Sequence, residues 1–183
     1  MLVRGAIDMY GIRIPGRLAE RIDMRSTIEL LPHECGAINI ALDAMAKEFD
    51  RRPPLIRNSA LLVFIPGSGL SLTYDENALG VTKSVLVFRV GLWRQLYPGS
   101  DSAPILSVIE EMCHCFYGIA DETEVKHMVS DIVRRYINTD NTFETLFPNW
   151  PAGRSNPDIP RLGDTHHPHV PRGGRHVLSV SRG

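Results

Sequence analysis

The chain has 183 residues, 43% of them hydrophobic, and a formal net charge of −1 with its seven histidines counted as neutral. One domain of this size can fill a real core, and the near-balanced charge gives no electrostatic reason to expect nucleic acid or an anionic membrane surface as partner. Three cysteines, Cys35, Cys113 and Cys115, are too few for a disulfide framework, so a reducing cytoplasm is the expected compartment.

The first 32 residues are punctuated by Pro15, Gly16 and Pro32 and are expected to form short irregular pieces. They hold no long apolar stretch and no small-residue cleavage site, so no signal peptide is expected. No apolar run in the chain approaches the roughly 18 residues that a membrane span needs. From Glu34 to Phe49, Ile38, Ala41, Leu42, Met45 and Phe49 recur at helical spacing, and Arg51-Arg52-Pro53-Pro54 closes that helix.

Three β-rich runs follow, at residues 60–65, 70–74 and 84–90, and are expected to form one small sheet. Gly67-Ser68-Gly69 lacks the strand–GxxxxGK–helix setting of a phosphate loop and reads as a tight turn. Asp101 or Ser102 starts a helix that runs to about Tyr117, where Gly118 stops it. Asp121-Glu122-Thr123-Glu124 then caps a second helix with Val125, Met128, Val129, Ile132, Val133 and Tyr136 on its apolar face. From 147 to 183 the chain is rich in Pro, Gly, Arg and His and lacks periodicity, which predicts a disordered tail behind a domain over 1–146. The fold class expected is α+β: a helix, a small sheet of about three strands, and two helices.

Chemistry concentrates between Ser107 and Ser130. At about 100° per residue, the apolar stripe of the first of these helices centres on Ile105, Ile109, Met112 and Phe116. Ser107, Glu110, Glu111 and His114 fall on the opposite, polar side. Glu110 and His114 are one turn apart, so both side chains can reach one ion. Glu111 lies beside them, where a carboxylate can act on a water.

The segment Glu110-Glu111-Met112-Cys113-His114 resembles the active helix of the zincin metallopeptidases, whose pattern is His-Glu-x-x-His. The resemblance implies Glu110 in the place of the first metal ligand, His114 as the second and Glu111 as the general base. A third, acidic ligand follows in several small zincins. Here Glu122 occupies that place, with Asp121 as the alternative. The motif covers about residues 107–133, and the order of elements extends the likeness loosely to 34–137. The implied cofactor is zinc or another divalent transition metal, and the implied activity is peptidase-like hydrolysis of a peptide or protein. The departure is Glu110: a carboxylate is a legitimate zinc ligand, but it adds negative charge and weakens the acidification of water. It points either to altered metal preference or to an inactive zincin-like protein that works by binding a partner.

Two other arrangements use nearby residues. Glu111-x-x-His114 and Glu124-x-x-His127 form a pair of Glu-x-x-His motifs of the kind found in di-iron bundles, but the strands at 60–90 leave no room for four long helices. His33-Glu34-Cys35-Gly36-Ala37 begins like the zincin pattern and then offers Ala37 where a histidine is required. The simplest alternative is a solvated helix face, with Glu110 and His114 as an i,i+4 pair and Asp121 as a helix cap.

Overall fold

The structure is a computed structural model that describes residues 2–54, 59–67, 70–73, 83–150, 163–166 and 177–180. In chain order its elements are β1 (Leu2–Val3), α1 (Gly16–Ala19), β2 (Ile22–Ser26), α2 (Pro32–Arg51), β3 (Ser59–Ile65), β4 (Leu70–Thr73), β5 (Lys83–Arg89), α3 (Val90–Leu96), α4 (Ser102–Tyr117), α5 (Glu122–Tyr136), α6 (Phe143–Leu146), β6 (Gly163–His166) and β7 (Val177–Val180). The class is α+β. No helix among the described residues is long and apolar enough to cross a membrane.

At the centre, β2, β3 and β5 pair in parallel, and β6 adds antiparallel to the free edge of β5. Parallel neighbours need a crossover, and α2 supplies it between β2 and β3. β3 is apolar from Ala60 to Ile65 because both of its faces are covered. Ala60, Leu62 and Phe64, with Ile22, Met24, Leu86 and Phe88, join the buried residues of α2, α4 and α5 in one core. Leu61, Val63, Ile65 and Val85 face the other way and pack with Val3 of β1. Aromatic rings tie the sheet to α3: Phe64 stacks on Phe88 at 5.0 Å, and Trp93 lies 6.0 Å from Phe88.

Two expectations are corrected here. Residues 1–32 are not all irregular, since β2 forms the outer strand of the parallel sheet. Its burial alternates, with Ile22, Met24 and Ser26 inside and Asp23 and Arg25 outside, but five residues are too short for that period to stand out. The three expected strands do not share a sheet either. β4 belongs to a separate antiparallel group ordered β1-β4-β7. Tyr74, the turn at 75–77, Ser68-Gly69 and most of the expected disordered tail lie outside the described residues; the tail pieces described are residues 147–150, β6 and β7.

The helices start and stop where local chemistry dictates. Pro32 opens α2, and the Glu34 carboxylate folds back to accept the Leu31 N–H at 2.8 Å. Gly118 ends α4 in the left-handed region, at φ 67°. Asp121 accepts the Glu124 N–H at 2.8 Å and so starts α5 only three residues later. α4 packs on α2, α5 and the sheet together. It therefore buries Cys113 as well as Ile109, Met112 and Phe116 of its expected stripe, with Ile105 partly buried. It also buries Ser107 and Glu111, which the helix wheel had set on the polar side.

Candidate metal centre

The Gly118 turn brings the start of α5 back over the last two turns of α4. That fold-back places Glu110, His114 and Glu122 side by side. One ligand atom from each lies within 4.8 Å of the other two, and all three side chains are half-buried. His114 Nε2 sits 3.9 Å from Glu122 Oε2, with side-chain exposures of 17% and 22%. Two ligands of one tetrahedral zinc, with bonds of about 2.1 Å, stand roughly 3.4 Å apart. A shift of a few tenths of an ångström would bring this pair to that spacing. At these exposures, a freely solvated helix face no longer describes the group.

His114 is held through its other ring nitrogen. Its Nδ1 lies 2.5 Å from the carbonyl oxygen of Ile119, just past the Gly118 turn. A neutral imidazole then carries its proton on Nδ1 and donates it to that carbonyl. In that tautomer Nε2 keeps its lone pair, 3.9 Å from Glu122 Oε2. A backbone carbonyl that fixes the tautomer is a common outer partner of metal-ligating histidines.

The remaining residues fall in different places. Asp121 is engaged as the N-cap of α5, so of the two acids proposed as third ligand it is Glu122 that joins the group. Glu111 is buried at 6% exposure. It shares a buried line along α4 with Ser107 and Cys115, one turn to either side. Burial pushes the Cys115 thiol up, and the nearby Glu111 charge adds to that rise. Glu111 thus sits on the flank between the ligand group and Cys115. Glu124 and His127 do not join the group, and the His127 ring stacks on Phe143 at 4.3 Å. His33 lies at the start of α2, while the adjacent Glu34 is held by Arg94 at 2.8 and 2.9 Å.

Lys126 is the residue that sequence reasoning missed. Its ammonium donates to Glu110 Oε1 at 2.7 Å and lies 3.8 Å from Glu122 Oε2. It also faces the ring of Trp150 at 4.5 Å and that of Phe147 at 5.4 Å. The Trp150 indole N–H donates to Thr123 Oγ1 at 3.4 Å, fixing this segment to the start of α5. One signal was present in the sequence: Glu122 and Lys126 stand at i,i+4, the better order for such a pair. The contacts to Glu110 and Trp150 depend on tertiary folding.

Comparison with family models, with curated proteins and with solved structures finds no match to the chain.

Proposed function

We propose that the protein is a divalent-metal-dependent hydrolase of peptidase-like chemistry, with Glu110, His114 and Glu122 as metal ligands and Glu111 as general base. The observation that carries this is the convergence of an oriented imidazole Nε2 and two carboxylates on one half-buried point. The donor set suits zinc, or a harder transition ion such as manganese or iron given its two carboxylates. A divalent ion bound there would polarise a substrate carbonyl and lower the pKa of a water. Glu111 would accept the proton of the attacking water from its place beside the ligands. Ile119 would keep His114 in the tautomer that leaves Nε2 open. A reducing, cytoplasmic setting is consistent with three free, buried thiols.

The test is hydrolysis of an unfolded protein such as casein by zinc-loaded protein. Activity should vanish on chelation and fall at least about 100-fold in Glu111→Gln. Activity that survives both treatments would overturn the assignment.

A second reading has its own observation. Lys126 already neutralises Glu110, as it would in a zincin-like protein that has stopped catalysing and binds a partner instead. Protein that binds no metal, hydrolyses nothing and is unaffected by Glu111→Gln would favour it.

A further inference from the structure

We propose that the Lys126 ammonium and a divalent cation are alternative occupants of the same site. Metal entry would then expel Lys126 and loosen the Phe147–Trp150 segment packed over it. This rests on the metal reading above and adds to it a built-in gate.

The placement of the charges argues for the competition. Lys126 pairs with Glu110 at 2.7 Å and lies 3.8 Å from Glu122, so its ammonium stands between the two carboxylates that would hold the ion. Its side chain is only 11% exposed. A divalent ion drawing on the same two carboxylates would stand within a few ångströms of that ammonium. Like charges that close, in a half-buried pocket, repel strongly. Metal drawing charge from the Glu110 carboxylate would also weaken the short hydrogen bond it accepts from Lys126.

The lysine has a way out, since its four-carbon stem can carry the ammonium to solvent. Leaving would end its contacts with the faces of Trp150 and Phe147. Those rings close over the lysine from the chain segment just after α6, where Trp150 also makes a long 3.4 Å hydrogen bond to Thr123 and a 3.0 Å backbone bond to Phe147. Expulsion of Lys126 therefore removes a principal contact of Trp150, and the aromatic segment reports on the occupant of the site. The gate also sets a threshold: the ion must bind tightly enough to displace an internal cation, so weakly held ions are excluded.

The experiment is zinc titration of the full-length chain, followed by calorimetry and by tryptophan emission, for wild type, Lys126→Met and Lys126→Gln. Both substitutions keep much of the stem and remove the charge, and circular dichroism checks that they fold. The expected result is one zinc per chain in wild type with a change in emission. That change should be absent in Trp150→Phe, because Trp93, the other tryptophan, is buried against Phe64 and Phe88. Lys126→Met and Lys126→Gln should bind zinc about tenfold more tightly or better, with the emission change gone. Wild type that binds zinc with the same affinity as both variants, or with no Trp150 signal, would overturn the gate and leave the metal site standing. Zinc binding by the variants but not by wild type would uphold the competition and overturn the metal-dependent function. No stoichiometric zinc in any of them would overturn both.

Discussion

Glu34 is 2% exposed, and its charge is kept by its partners. Burial pushes its carboxyl up. The Arg94 hydrogen bond, the Leu31 N–H and the Arg94 charge together outweigh burial and hold it below its ordinary value of 4.5. Arg94→Met strands this carboxylate and should lower stability by roughly 2–3 kcal/mol in urea unfolding, less than for a fully buried pair because Arg94 is part-exposed. The pH dependence follows in sign. A carboxyl whose folded value is depressed stabilises fully above its unfolded value, and that stability is lost as pH falls through the folded one. Wild type should therefore lose stability more steeply below about pH 4.5 than Glu34→Gln, and equal acid slopes would contradict it. The thiols behave in the opposite sense. Burial raises Cys35, Cys113 and Cys115 above the usual range, Cys113 most of all. Ellman's reagent at pH 8 should find almost no reactive thiol in folded protein and three in denaturant. At this scale the sequence was partly legible. His114 and Glu122 stood out by type and spacing, whereas Lys126 and the buried roles of Glu34 and Glu111 depend on residues far along the chain.

The helix hairpin that builds the site is specified at its corner. Gly118 takes a left-handed conformation, and Asp121 caps α5 three residues on. Asp121→Ala should cost about 1 kcal/mol of stability and leave metal stoichiometry unchanged, while Glu122→Gln should weaken metal binding with little effect on folding. Loss of metal from Asp121→Ala alone would move the third ligand to Asp121. Gly91 marks another close approach, because a Cβ there would meet the Pro66 carbonyl oxygen at 1.9 Å. Gly91→Ala should destabilise by about 1–3 kcal/mol as the junction of β3 with α3 is forced apart. Helix limits were readable in the sequence because caps, prolines and glycines act locally. β2 and the sheet membership of β4 were not, because strand partners are chosen across the whole chain and a five-residue alternation carries little signal.

At the scale of the whole molecule, the parallel sheet and α2 support α4 from beneath, and α5 folds back to complete the ligand group at the surface. The site thus stands on a helix buried on nearly every side. Rigid support of this kind is what a metal site needs if its ligands are to keep their spacing. Metal binding to the folded chain alone should stabilise it by about 2.7 kcal/mol at a hundredfold excess over the dissociation constant. The pairing of Glu110 with His114 was legible because the two lie one turn apart on one helix. The contact of Lys126 with Glu110 was not, because the lysine belongs to the next helix and meets Glu110 only after the hairpin closes. The most direct measurement is the metal content of purified wild type and of His114→Ala, with circular dichroism to show that both fold. The account predicts one divalent ion per wild-type chain and none in the folded variant. Absence of stoichiometric metal from wild type, or equal metal in both, would contradict it.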